Sequence, residues 1–355
     1  MADKKLLQEF CRGLVKPSMT AVLVALGSLF LCCLLFLLLV TSRAMATFGD
    51  DFLTVSTDDY DLAATTRVLR LQHASALSRS LVILGASTTR SSLLESDLAV
   101  TLDSVGLDDV EVVKLCTSAQ YLWHSFTMLN SLPMDLRGVV VLGIGPPGFA
   151  RELDQLEGSI VYRLGLRSLV ADDFLRARNV ALRRNWGNVY ALNNFDFLFT
   201  RDRRSAAVKN LITGRSPQLV DNRHLNKPPI SVQKRRILGD QVVELLSDYQ
   251  ENYTENFQIL EMIRREVDSR EGLSLILYEA PVSPWFFKEY GQEALYESFD
   301  QAMASYAATH GLLFLQADEL ASLQESHFSD WAHLSSPEVA KTLSRKVVDA
   351  AAPLF

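Results

Sequence analysis

From Thr20 to Val40 almost every position is Leu, Val, Ala, Phe or Cys, and no charged side chain occurs between Pro17 and Ser42. No polar stripe recurs at helical spacing, so the run does not read as an amphipathic helix of a folded core. At 1.5 Å rise per residue, such a run crosses a hydrocarbon layer of about 30 Å. A signal peptide has a shorter apolar core, and Ala44, Met45 and Ala46 come late for a cleavage site. The pattern predicts a retained transmembrane helix over 18–42, a tail over 1–17 and a juxtamembrane connector over 43–74.

Past the connector the rhythm changes. Apolar runs at 81–84, 110–115, 139–142, 273–278 and 312–315 are bounded by turn residues and predict buried parallel strands. Helical spacing at 121–132, 251–267, 292–310 and 337–351 falls between and after them. Strands alternating with helices predict an α/β fold with a doubly wound parallel sheet over 75–355. The third and fourth strands are far apart in sequence, which predicts an insertion over about 149–240.

Charge orients the chain. Lys4, Lys5, Arg12 and Lys16 precede the apolar run, whereas Arg43 alone and then Asp50, Asp51, Asp58, Asp59 and Asp61 follow it. Basic flanks stay on the cytoplasmic side, so the N-terminus is expected inside and the folded domain outside an inner or plasma membrane. The total formal charge is −7, yet 151–240 carries 17 Lys and Arg against 9 Asp and Glu. That segment reads either as a solvated helical excursion or as a surface for anionic lipid, an anionic polymer or a membrane partner.

Cys116 is the one cysteine beyond the apolar run, so no disulfide within the exported domain is expected. There is no C-x-x-C, H-E-x-x-H or phosphate-loop motif, and the histidines at 73, 124, 224, 310, 327 and 333 are scattered. No metal, cofactor or nucleic-acid partner is expected.

In an open α/β sheet, ligands bind beyond the carboxyl ends of the strands. The loop after the first strand reads Gly85-Ala86-Ser87-Thr88-Thr89-Arg90. Ser87 there is either a hydroxyl facing a pocket or a helix N-cap. After the last strand comes Asp330-Trp331-Ala332-His333-Leu334, then Ser336-Pro337, a helix start. A serine hydroxyl becomes a nucleophile when a base takes its proton, and a carboxylate orients that base. Ser87, His333 and Asp330 supply these three roles. Arg90 is a candidate for holding an anionic substrate group or a solvated helix residue. His124, His327, Glu279, Pro281 and Trp285 read as core, loop or packing residues.

The Gly85-Ala86-Ser87 turn and the Asp330-x-x-His333 block resemble the first and last blocks of the SGNH (GDSL-like) hydrolase superfamily. Over about 75–345 the likeness is to its membrane-anchored branch, which includes the D-alanyl transfer protein DltD and the alginate acetylation proteins AlgJ and AlgX. The resemblance implies a flavodoxin-like sheet and an extracytoplasmic serine O-acyltransferase or esterase. Its acyl group would be acetyl or D-alanyl, on a cell-surface polysaccharide, a teichoic-acid-like polymer or a lipid. It also implies oxyanion donors near Ser118 and Gly145. Ala86 replaces the usual Asp, and Gly143-Ile144-Gly145-Pro146-Pro147-Gly148 lacks the usual Asn. A non-catalytic partner of a membrane-bound O-acyltransferase is the alternative.

Overall fold

The computed structural model describes residues 18–74, 79–153 and 158–355, with the side chains of 36–39, 158 and 159 left out. The expected tail over 1–17 lies outside the described residues. Helix α1 (Met19–Leu39) holds no charged residue, and nearly all its described side chains face outward. Counted on described side chains, which in this helix end at Leu35, no helix is long and apolar enough to cross a membrane. The 21 residues of the whole helix measure about 31 Å at 1.5 Å each.

Two further helices follow at once. In α2 (Ser42–Leu53) the Thr41 hydroxyl accepts the Ala44 N–H, and in α3 (Tyr60–His73) the Asp59 carboxylate accepts the Leu62 N–H. These caps satisfy donors that a helix start leaves open. Met45, Ala46, Leu62, Ala64, Val68 and Leu69 are buried in the main core, and α3 packs on the sheet. This corrects the expected connector over 43–74. Leu62, Leu69 and Val68 recur at helical spacing, and burying that stripe ties the segment to the domain.

The sheet has five strands, β1 (Ser80–Gly85), β2 (Glu111–Cys116), β3 (Gly138–Ile144), β4 (Leu273–Glu279) and β5 (Leu313–Gln316). All pairings are parallel, in the order β2-β1-β3-β4-β5. Each strand lies within two residues of its predicted position. After β1 and β2 come α4 (Ser87–Ser92), α5 (Glu95–Ser104) and α6 (Leu122–Asn130). Between β3 and β4 the long helices are α7 (Arg201–Thr213), α8 (Val232–Ser247) and α9 (Tyr249–Asp268). Helices α10 (Glu293–His310) and α11 (Pro337–Ala351) follow β4 and β5.

Side-chain alternation sends Val82, Leu84, Val140 and Leu142 into one core with α3, α6, α9 and α10. Leu81, Ile83, Val139 and Val141 enter another with α5 and α11. Helices thus cover both faces, and the strands read as continuous apolar runs for that reason. The doubly wound α/β expectation is met.

The insertion is less of an excursion than its composition suggested. Its arginines reach acids elsewhere in the domain: Arg163 to Asp61 at 3.2 Å, Arg203 to Asp59 at 2.8 Å, Arg178 to Glu255 at 3.0 Å, and Arg223 to Asp58. The first two acids and Asp58 belong to the 43–74 segment. Much of the local positive excess is therefore internal complementarity. Helix α8 also runs through the predicted boundary at 240.

Candidate functional site at the carboxyl edge of the sheet

Strand order reverses between β1 and β3, which opens a crevice at their carboxyl ends. Ser87 is the first residue of α4, and its N-cap, Ala86, makes no side-chain bond. The Ser87 hydroxyl is therefore not spent on capping. Thr89, two residues on, packs so close to Gly85 and Gly143 that a Cβ at either would collide with it. The two glycines let α4 approach the sheet and place Ser87 at its edge.

The loop after β5 is closed by an antiparallel bridge between Phe328 and Leu334, with the Ser329 N–H donating to the His333 carbonyl at 2.9 Å. Inside it, Asp330 Oδ1 accepts the N–H groups of Ala332 (3.1 Å) and His333 (3.0 Å). The His333 ring meets both carboxylate oxygens through Nδ1 at 2.8 Å, and Nε2 lies 2.8 Å from Ser87 Oγ. Burial pushes the Asp330 carboxyl up, but the His333 ring and the two N–H donors outweigh it and hold it below the usual range. An ionised Asp330 can only accept, so Nδ1 carries the proton and Nε2 is left to accept from Ser87. The three residues singled out in the sequence are thus brought into one hydrogen-bonded line.

A fourth residue joins them. The 221–231 segment of the insertion is laced to this loop, with Asn226 N–H donating to Ser335 O and Ile230 N–H to Ser329 O, both at 2.8 Å. Buried Asn222 donates to Ser91 O and Leu334 O. The lacing lays His224 flat against His333, ring centroids 4.1 Å apart and planes 4° from parallel. Its Nδ1 meets Ser329 Oγ at 2.8 Å. Burial first, then the facing His333, push the His224 ring down to about 3. In sequence His224 is one polar residue in a turn, with no local motif to mark it.

His224, Asp330 and His333 bring possible metal-ligand atoms within 4.8 Å of one another. A ring nitrogen's lone pair lies in its ring plane, and two parallel planes do not converge on one ion. Both His333 nitrogens are also engaged, by Asp330 and Ser87. The group fits proton transfer better than metal binding.

Ser87 and His333 open onto a cavity of about 430 Å³. Gly145 and Ala119 line it, as do Tyr121, Phe149, Arg151, Pro281 and Trp331, and Leu238, Val242 and Leu245 of α8 form one wall. Two of the candidate residues lie off the cavity, although Ala119, next to Ser118, lines it. Ser118 is exposed and is not among the lining residues, because Ala119 turns the chain at φ 46° and faces the cavity in its place. Arg90 lies elsewhere, 3% exposed, its guanidinium 3.4 Å from the Tyr60 ring centre and turned toward Cys116 O. Although Arg90 is only three positions on from Ser87, its side chain is drawn away from the cavity by the Tyr60 ring and the Cys116 carbonyl.

The remaining residues take their plainer roles. His124 is fully buried and stacked on Trp123 at 3.9 Å. The ring of His327 accepts the Gln324 N–H within its own turn. Trp285 is buried under Arg235, and Glu279 is buried beside Asp300. No family model matches the chain, and no curated protein matches it in sequence.

Proposed function

We propose that this protein is a membrane-anchored serine acyltransferase or esterase of the SGNH-hydrolase type, working outside the cytoplasm. The observation that carries the reading is His333 joining Ser87 Oγ and the Asp330 carboxylate, each at 2.8 Å, on the wall of a cavity. In the first half-reaction the Ser87 oxygen attacks an acyl carbonyl while Nε2 of His333 takes its proton. The tetrahedral centre collapses, the leaving oxygen receives that proton, and the acyl group stays on Ser87. Water or a sugar hydroxyl then gives its proton to His333 and attacks the acyl carbon; the bond from that carbon to Ser87 Oγ breaks, and His333 returns the proton to the serine oxygen. Asp330 stabilises the imidazolium formed in both halves.

Ser87, Ala119 and Gly145 line the cavity, and their backbone N–H groups are the candidate donors to a tetrahedral oxyanion. Ala119 adopts the positive φ that glycine favours, which suits the turn where the family resemblance implies a glycine donor. The mostly apolar wall, the Tyr121 and Trp331 rings and the Arg151 guanidinium 5.1 Å from the Tyr121 ring centre suit an acyl group on a sugar or anionic polymer. Helix α1 supports the anchor. An outward-facing apolar surface of that length is stable in lipid and costly in water.

Labelling of the full chain with a serine-reactive fluorophosphonate tests the assignment. The wild type should be labelled, and Ser87→Ala, folded to the same melting temperature, should not. The Gly143–Gly148 loop lacks the Asn donor that the family resemblance implies. Folded wild type that takes no label would therefore favour the alternative, a non-catalytic partner of a membrane-bound O-acyltransferase.

A further inference from the structure

Apart from α1, the exposed Phe and Trp side chains among the described residues are Phe48, Phe52, Trp186 and Phe195. Two of them lie on the helix that follows α1, and two flank a turn that touches it. Phe48 and Phe52 lie one turn apart on α2, which begins three residues after α1 ends. Trp186 and Phe195 flank the Tyr190–Asn193 turn, which lies against α1. Val40, at the end of α1, packs on the main core, so this end of the helix is fixed to the domain.

Trp186 is not a loose loop residue. Its N–H donates to Asn193 Oδ1 at 2.8 Å, and Asn193 Nδ2 donates to Gly187 O at 2.7 Å. Phe195 is backed by Phe199, ring centres 4.4 Å apart. The Arg184 guanidinium lies 5.0 Å from the Trp186 ring centre. Scattered exposed Leu and Val are ordinary on any surface. Exposed aromatics confined to the elements around one end of an apolar helix, with a guanidinium over the indole, are the composition of a membrane–water boundary.

We infer that Trp186 and Phe195, with Phe48 and Phe52 of α2, rest in the headgroup layer of the bilayer that holds α1, docking the domain against the membrane in one orientation. The inference rests on the anchor reading of α1 and goes beyond it. A tether alone would leave the domain free to turn, whereas this face fixes it. Because α2 and α3 are built into the core, no slack segment separates the domain from the helix.

Tryptophan emission of the full chain in nanodiscs containing anionic lipid tests this. The difference between wild type and Trp186→Phe isolates Trp186, since Trp123 and Trp285 are buried and Trp331 lines the cavity. The Trp186 component should lose intensity when the lipids are brominated on their upper acyl carbons. It should resist aqueous iodide, as expected for a ring about 5–10 Å into the boundary. A Trp186 component quenched by iodide and untouched by brominated lipid, in chains that co-purify with the nanodisc, overturns the docking while leaving the anchor intact. Failure of the chain to enter nanodiscs removes both readings.

Discussion

Two buried carboxyl groups stand at the carboxyl edge of the sheet, Asp330 behind the His333 that lines the first cavity and Glu279 lining a neighbouring one, and they end in opposite charge states. Asp330, 8% exposed, is surrounded by the His333 ring and two backbone N–H donors, which keep it ionised. Glu279, also 8% exposed, lines a second cavity of about 200 Å³ with Asp300 and Asp318. Burial and then the facing Asp300 push its carboxyl up to about 9, against a weaker pull from the Gln316 amide. The two cavities share Ala280, Pro281, Val282 and Tyr296. Burial is equal on the two sides, so the donors within reach decide which group keeps a charge.

The comparison breaks most visibly if Asp330 is made neutral. Asp330→Asn keeps the size but presents an amide where a carboxylate accepted the Nδ1 proton, which favours the wrong His333 tautomer. The probe-labelling rate, or turnover of any ester the enzyme accepts, should fall by about 10³- to 10⁴-fold. Circular dichroism should stay unchanged. A loss of less than about tenfold would mean that Asp330 does not act through its charge, and the contrast with Glu279 would lose its functional meaning.

How far the sequence reached follows the same division between local and distant causes. The five strands were legible because burial on both faces leaves uninterrupted Val, Leu and Ile. Asp330 and His333 were legible because three residues of one loop settle their geometry, and Ser87 only through its pairing with that block, since the turn alone left a helix N-cap equally open. His224 was not, since its place depends on Asn222, Asn226 and Ile230 bonding to a loop about 100 residues away. Arg90 was misplaced because its partners, the Tyr60 ring and the Cys116 carbonyl, lie outside its own helix. Ser118 was one residue off, since the positive φ of Ala119 is a backbone property that an alanine does not announce. The pairing of Asp58, Asp59 and Asp61 with insertion arginines was equally hidden, and composition alone cast both groups as surface.

Glu279→Gln is the milder test. A glutamate protonated in the fold up to about pH 9 must bind a proton that the unfolded chain releases above its ordinary value of about 4.3. Wild-type stability should therefore fall as pH rises between these limits. Glutamine stays neutral throughout and its amide can still donate to Asp300. At pH 8 the variant should be the more stable, by at most about 1.4 kcal/mol for each pH unit above about 4.3. Thermal melts at pH 5 and pH 8 would show it, and equal pH slopes in the two proteins would sink the idea that Glu279 is held neutral.

The smallest effect tests whether the contrast extends to the ring that covers the base. His224 is held neutral down to about pH 3, whereas an unfolded histidine takes up a proton near pH 6.5. As pH falls from about 6.5 the unfolded chain binds a proton that the folded chain refuses, so His224 costs stability progressively on the acid side. The slope is bounded by about 1.4 kcal/mol per pH unit, and partial exposure of the ring makes it less. His224→Phe removes the titrating group and keeps a flat ring against His333. Its stability should depend less on pH between about 6.5 and 4.5, a window above the range where Asp330, already below its usual value, begins to bind protons. Ser87 labelling should persist in this variant, because phenylalanine still covers that face of the base. If the slope is unchanged and labelling is lost, the stack serves the chemistry of His333 directly, and His224 belongs with the ionised side of the edge instead of the neutral one.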